Sequence, residues 1–103
     1  MIFTFGPVVV GRGRVATIAI QAPRPFQGIL LDVNQGREMT IVSLAICNRE
    51  QLAMEVPVAM FTEAGGGIVL EICPANGIIT LAVRNDTDAS APFRCELHGR
   101  ALE

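Results

Sequence analysis

The pattern that most constrains this chain is an alternation of apolar and polar residues with a period close to two, repeated in short segments along almost the whole sequence. The segments are rich in valine, isoleucine and threonine, and they are separated by glycine, proline, asparagine and aspartate. A period of two places successive side chains on opposite faces of a strand, so the pattern predicts β-strands. About eight strands are predicted, at Ile2–Val10, Arg14–Ile20, Phe26–Val33, Met39–Asn48, Ala53–Thr62, Gly67–Cys73, Ile78–Arg84 and Pro92–Leu102.

Turn residues between the predicted strands indicate the fold class. Gly11–Gly13, Asn34–Gly36 and Pro74–Gly77 contain the residue types that tight turns require. Strands spaced by about 8 to 12 residues with such turns are typical of antiparallel sandwiches and barrels. The chain is therefore predicted to be all-β, a single antiparallel β-sandwich domain over residues 1–103 with a jelly-roll-like topology.

Pro57 lies inside one of the predicted strands, Ala53–Thr62. Proline has no N–H to donate to a strand ladder and is therefore confined to edges and strand ends. This segment is predicted to be an edge strand or two short pieces.

Two predicted strands, Met39–Asn48 and Ile78–Arg84, have little polar surface on either face. Alternation places three apolar residues of the first strand on one face, namely Val42, Leu44 and Ile46, and Ile41, Ser43, Ala45 and Cys47 on the other. In the second strand the inward row is Ile79, Leu81 and Val83. A strand that is apolar on both faces is normally covered on both sides. Here the second cover would be a neighbouring subunit or a loop of the same chain.

These faces give a set of predicted interface residues. The apolar members are Ile41, Ala45, Ile78 and Ala82, and the arginines expected at the rim are Arg84, Arg94 and Arg100. All eight basic residues of the chain are arginine, which pairs with carboxylates through two hydrogen bonds and suits interfaces. The codon composition of a GC-rich genome is an equal explanation for the missing lysines.

The apolar content supports association of copies. Half of the 103 residues are hydrophobic and the mean hydropathy is +0.45, which is more apolar material than one small core readily buries. The net charge of −2 gives no electrostatic reason to expect nucleic acid as a partner. No apolar run approaches the roughly 18 residues of a membrane helix, so no membrane span is predicted.

The first ten residues are apolar but carry no basic leader, and Gly6-Pro7 interrupts them. They predict a strand and not a signal peptide, so the chain is expected to remain in a reducing compartment. In a reducing compartment the three cysteines, Cys47, Cys73 and Cys95, are expected to be free thiols.

No chemical motif in the chain is well formed. Cys95 and His98 have the spacing of zinc ligands, but in a strand they lie on opposite faces. Gly11–Ala16 matches a glycine-rich dinucleotide pattern, yet the residues that follow favour a strand where the fingerprint needs a helix. With one histidine and no nucleophile motif, no catalytic residue, cofactor or metal is predicted, and the chain is not expected to be an enzyme.

Four segments carry a resemblance. They are the opening of a strand at Arg24–Gly28, the central Val56–Phe61, the strand Ile78–Arg84 that ends at Asn85, and the final strand Phe93–Ala101. Through them the pattern over Phe26–Leu102 resembles small β-sandwich subunits of bacteriophage and virus particles. The resemblance implies a protein that forms or decorates a capsid as a symmetric oligomer, located in a virion or the host cytoplasm, and it implies no catalytic residue.

The expected function is therefore that of a structural subunit of a symmetric homo-oligomer, as a capsid, decoration or vertex protein of a phage or virus-like particle. The alternative is a carbohydrate- or peptide-binding β-sandwich module that uses the turns at one end. Sugar binding usually needs exposed aromatic rings, and the chain has five phenylalanines and neither tyrosine nor tryptophan.

Overall fold

The computed structural model describes residues 2–59 and 70–102, with the backbone alone for residues 29–34. The described strands are β1 (Ile2–Val10), β2 (Val15–Gln21), β3 (Phe26–Gln35), β4 (Thr40–Ile46), β5 (Arg49–Glu50), β6 (Val56–Pro57), β7 (Ile78–Arg84) and β8 (Ala91–Ala101). The predicted bounds of β1 and β7 are confirmed, and those of β2, β3 and β8 differ by one or two residues.

The strands form two antiparallel sheets, which confirms the β-sandwich prediction. One sheet has the order β1-β8-β3, and the other has the order β2-β7-β4-β5 with β6 also paired to β4. An isolated bridge joins Phe26 of β3 to Cys73. The first half of the chain thus pairs with the second half, β1 with β8, β2 with β7, and β3 with the segment at Cys73. Successive pairs alternate between the sheets, which is a jelly-roll arrangement.

Two predicted strands are described only in part, and most of their described residues are not strand. Within Ala53–Thr62 only Val56–Pro57 is a strand, because Val58 and Ala59 turn helical and residues 60–62 lie outside the described residues. It pairs with the margin of β4, so the edge position predicted for Pro57 is confirmed. Within Gly67–Cys73, residues 67–69 lie outside the described part, and 70–73 contributes the bridge and one hydrogen bond from Leu70 N to Gly28 O, 3.0 Å long.

The core lies between the sheets and follows the predicted alternation on two strands. Ile79, Leu81 and Val83 of β7 are fully buried. On β8, alternation places Phe93, Cys95 and Leu97 on one face, and all three are buried, whereas the four residues that point outward are Arg94, Glu96, His98 and Arg100. The rings of Phe3 and Phe26 meet edge to face with centroids 4.8 Å apart, which is a favoured aromatic geometry.

The outward position predicted for Ile41 is wrong. Its side chain is 0% exposed and belongs to the core. The reason is a β-bulge in β4, where the register shifts between Ile41 and Ser43 so that Ile41 faces Val83 while Ser43 faces Ala82. One extra residue in a bulge reverses the alternation, so Ile41 and Leu44 both point inward.

The surface area does not carry the excess that the apolar composition suggests. The solvent-accessible area is 5621 Å², close to the roughly 5,600 Å² that folded monomers of this mass expose. Large apolar side chains that remain exposed are spread over several elements, and they are Ile2, Val9, Val15, Met54, Ile72 and Ile78. The total exposed area is therefore no evidence for association.

Asn85, at the end of β7, is the one buried polar residue among those described. Its amide nitrogen donates to the carbonyl oxygens of Val10 at 2.8 Å and Ala89 at 2.9 Å, and its Oδ1 accepts from Thr87 N at 2.9 Å. Its backbone also bonds the β1–β2 turn, through Gly13 N and Arg14 O. One side chain thus joins the end of β1, the end of β7 and the loop that leads into β8.

Replacing Asn85 with alanine is expected to lower the free energy of unfolding by about 2–4 kcal/mol, because buried carbonyl and N–H groups lose their partners. Urea unfolding followed by circular dichroism measures the change. Asp88→Ala in the same loop is the control, since Asp88 is exposed, and it should change stability by less than about 0.5 kcal/mol. Equal effects of the two substitutions would contradict this role of Asn85.

Candidate interface on the β2–β7–β4 sheet

The outer face of the β2–β7–β4 sheet is built from small, mostly uncharged side chains. The register places Thr17, Ala82 and Ser43 side by side in one row across the three strands. The next row consists of Ala19, Thr80 and Ala45. Small side chains in neighbouring rows leave a flat surface, so a second layer could approach this sheet closely.

Three predicted interface residues lie on this face. Ile78 is 42% exposed and Ala45 is half-buried. Ala82 is only 9% exposed, because the larger side chains of Thr17 and Ser43 flank it on the two adjoining strands. The structure therefore brings Ala45, Ile78 and Ala82 onto one surface. It excludes Ile41 from that surface for the reason given above.

Arg84 lies at one end of the same face and is bonded within its own chain. Its Nε donates to Asp86 Oδ1 at 2.8 Å, and one of its terminal nitrogens donates to Glu55 Oε1 at 2.9 Å. The hydroxyl of Thr40 donates to the other oxygen of Asp86 at 2.5 Å. Hydrogen bonds from Arg84 and Thr40 lower the pKa of Asp86, so this cluster stays ionised at neutral pH.

Arg94 and Arg100 lie on the other sheet. Both belong to the outward row of β8, where Arg94 is 3.9 Å from the carboxylate of Glu96. His98 in the same row is also 3.9 Å from Glu96. The three arginines predicted at one rim thus occupy opposite outer faces of the sandwich, and Arg94 and Arg100 do not border the surface that carries Arg84.

Most edges of the two sheets are covered or interrupted. β4 is covered by β5 and β6, and β3 is partly covered by the segment at Cys73. β1 is a sheet edge, but its register shifts between Phe5 and Val8 at Gly6-Pro7. Gly6 has φ of 88°, and a Cβ there would lie 2.6 Å from the carbonyl oxygen of Phe93, so only glycine fits this bulge. Bulges and prolines are the usual means of preventing edge pairing.

The edge of β2 has no such protection. It is a regular seven-residue strand without charge or proline, at the end of its sheet. Ala22 N donates to Gly77 O at 2.9 Å and Asn85 N donates to Arg14 O at 3.0 Å. Because antiparallel ladders alternate, even-numbered residues between these two bonds pair with β7. The residues whose N–H and C=O groups point outward are therefore Val15, Thr17, Ala19 and Gln21.

No described residue bonds to these outward groups of β2. The inner row of the same strand, Ala16, Ile18 and Ile20, is apolar and only half-buried. An open ladder and a half-covered apolar row therefore coincide on one edge. Sequence reasoning identified the strand but missed the edge, since nothing in Val15–Gln21 itself says which neighbours it lacks.

The opposite margin of this sheet is closed by Glu50 of β5. Its carboxylate accepts from the hydroxyl of Ser43 at 2.6 Å, from Leu44 N at 2.9 Å and from Leu52 N at 3.3 Å. Partial burial raises the pKa of Glu50, but these hydrogen bonds outweigh it and the net pKa is lowered.

The lowered pKa of Glu50 predicts a pH dependence of stability. A carboxyl whose pKa is depressed in the folded state stabilises the fold above its ordinary pKa, and this contribution is lost as the pH falls through the folded-state value. Glu50→Gln should therefore melt a few degrees lower than the natural chain at neutral pH and at the same temperature in strong acid. Glu38→Gln, at an exposed site with no such bonds, is the control. A difference that persists unchanged into acid would contradict the prediction.

The alternative of a ligand-binding module has a cleft to consider at the other end of the sandwich. A cleft of about 360 Å³ opens beside the β3–β4 turn, and its lining includes Arg37, Met39, Thr87 and Pro92. None of its described lining residues is aromatic. In the part of the chain that the structure describes, no group of three or more histidine, cysteine, aspartate or glutamate side chains is placed to hold a metal ion.

Comparison of the chain with protein-family models, with curated proteins and with solved structures finds no match. The helical residues within the described ranges form no helix that is long and apolar enough to cross a bilayer. The function must therefore be inferred from the geometry of the described residues.

Proposed function

We propose that this protein is a structural subunit that assembles with copies of itself, and that strand β2 of one copy adds to strand β2 of a second copy. The observation that carries the proposal is the open edge of β2, an uncharged strand whose outward N–H and C=O groups bond to no residue that the structure describes. Strand addition at an exposed edge is a recurrent mode of association, in which main-chain hydrogen bonds supply affinity and side chains supply register.

The β2 edge is complementary to itself. With two copies antiparallel about a two-fold axis at Ile18, Val15 lies opposite Gln21 of the second copy, and Thr17 lies opposite Ala19 of the second copy. Residues whose N–H and C=O groups point away from β7 then lie opposite the same kind of residue in the second copy. This is the condition for hydrogen-bonded antiparallel pairs. No charge opposes a like charge along the seven paired residues.

Burial of apolar surface adds to these main-chain bonds. In this register the half-buried Ile18 of each copy would be covered by Ile18 of the other, and Ile20 by Ala16 of the other. Burial of this apolar surface stabilises the pair by about 25 cal/mol for each Å² removed from water. The outer faces of the two sheets would also join into one continuous flat surface, on which Ala45, Ala82 and Ile78 lie.

The most plausible setting for such a subunit is a phage or virus-like particle, as a capsid, decoration or vertex protein. Jelly rolls are common among viral capsid and lectin domains, and the segments that resemble particle subunits include β7 and β8. A lectin-like role is less well supported, because the described lining of the cleft near Arg37 has no aromatic ring.

Ala19→Pro is expected to abolish the association. Its N–H points away from β7, so proline at this position removes a donor that serves only the second copy. Light scattering after size exclusion, in reducing buffer and at several concentrations, should give an oligomer for the natural chain and a mass near 11.0 kDa for the variant.

Thr80→Arg is the matched control for this experiment. Thr80 lies on the outer face of β7 but away from the free edge, so a charge there blocks stacking of two faces and leaves edge pairing intact. Loss of the oligomer with Thr80→Arg but not with Ala19→Pro would replace edge pairing by face stacking. A natural chain that stays monomeric at high micromolar concentration would overturn self-association altogether.

A two-fold contact between β2 edges closes at a dimer, so the particle role requires a second contact between dimers and a further measurement. Negative-stain electron microscopy of the concentrated natural chain should show closed rings or shells of uniform size. Dimers alone would support edge pairing and contradict a shell-forming role.

A further inference from the structure

The thiols of Cys47 and Cys73 lie together beside Gly77. A Cβ built on Gly77 would be 2.7 Å from Sγ of Cys73 and 3.0 Å from Sγ of Cys47. Both sulfur atoms thus lie around one point that only a residue without a side chain leaves open. Cys47 and Cys73 are not joined by a disulfide in this structure and are free thiols.

Each cysteine is held in place by backbone hydrogen bonds. Cys47 follows β4 with φ of 50° and donates its N–H to Ile78 O at 2.9 Å. Cys73 exchanges two backbone bonds with Phe26 of β3, 2.7 and 2.8 Å long. The two thiols therefore belong to opposite layers of the sandwich, one at the end of β4 and one against β3.

A second set of contacts fixes the same two segments against each other. Arg49 of β5 forms an ion pair with Glu71. Gln51 accepts from Glu71 N at 3.0 Å and donates to the carboxylate of Glu71 at 3.3 Å. Arg49 lies two residues after Cys47, and Glu71 lies two residues before Cys73. These contacts therefore hold the two cysteine-bearing segments against each other.

We propose that Cys47 and Cys73 are a redox-active pair that closes to a disulfide across the two sheets when a low-molecular-weight disulfide is the oxidant. The pair is asymmetric, because Cys47 is exposed and Cys73 is 0% exposed. The oxidant therefore reaches the exposed sulfur of Cys47 first. Cys73, which lies next to it, is then the thiol that displaces the reagent from Cys47.

The reaction proceeds in two exchanges. The thiolate of Cys47 attacks the reagent disulfide, forms a mixed disulfide and releases one reagent thiol. The thiolate of Cys73 then attacks the sulfur of Cys47, forms the Cys47–Cys73 bond and releases the second reagent thiol. In sum the two protein thiols lose two electrons and two protons, and the reagent disulfide gains them as two thiols.

Burial, together with the neighbouring Cys47, raises the pKa of the Cys73 thiol. The resolving step needs the thiolate of Cys73, so ring closure should be faster in mildly alkaline than in neutral buffer. Cys95 is not the expected partner, because it pairs with Phe5 and Val33 within the β1-β8-β3 sheet, whereas Cys73 lies beside Cys47 at Gly77.

Treatment of the Cys95→Ala protein with oxidised glutathione tests the pair, read by intact mass and by peptide mapping without reduction. The expected product has no free thiol, no bound glutathione and a peptide in which Cys47 is joined to Cys73. Its melting temperature should rise by roughly 10 °C over the reduced form, since the bond closes a loop of intermediate length in the unfolded chain. Reduction should reverse both changes.

Two single substitutions separate the roles of the thiols. Cys73→Ser should retain one glutathione stably on Cys47, because the resolving thiol is gone. Cys47→Ser, at an exposed site where folding is not at risk, should leave Cys73 unmodified. Stable glutathione on Cys47 in the presence of Cys73, or a disulfide between two chains, would each overturn the proposal. Self-association by β2 is unaffected by any of these outcomes, since β2 carries no cysteine.

Discussion

The hydrogen bonds of the buried Asn85 side chain are the interaction on which one whole end of the sandwich depends. A jelly roll must pass its chain from one sheet to the other several times, and each passage leaves backbone groups that no ladder satisfies. At the end of β7 one amide satisfies the last carbonyl of β1, a carbonyl of the following loop and an N–H of that loop. An apolar residue would fill the space but leave these groups unpaired.

Gly77 marks the opposite end of β7 and meets a different requirement. There the chain turns tightly, with Gly77 N bonded to Pro74 O at 2.9 Å, and the absence of a side chain lets two thiols from different sheets meet. One end of β7 is thus held by the Asn85 side-chain amide, whose donors and acceptor are all hydrogen-bonded. The other end is held by backbone turns and carries a pair of sulfur atoms that only weakly bond to their surroundings.

The edges of the two sheets are not equally protected against pairing with another chain. The β4 side is closed by short strands and the carboxylate of Glu50, and the β1 edge is interrupted by the bulge at Gly6. Only β2, among the strands described, presents a regular and uncharged ladder. Natural sheets usually avoid this arrangement because it promotes pairing with other chains, so its presence here is the physical basis for proposing self-assembly.

The sequence by itself determined the long strands β1, β2, β3, β4, β7 and β8 with approximate bounds and, on β7 and β8, which side chains face the core. It did not determine β5, and it predicted a much longer strand around β6. These properties are local, since a period of two and turn residues act within a few positions of the chain. Only the tertiary structure decided that Ile41 turns inward, because a bulge in β4 depends on the register with β7. It also decided that β2 is an open edge, that Arg84 and Arg100 lie on opposite faces, and that Cys47 meets Cys73. Each of these depends on pairing between residues far apart in the chain, and alternation within a single strand contains no information about its neighbours.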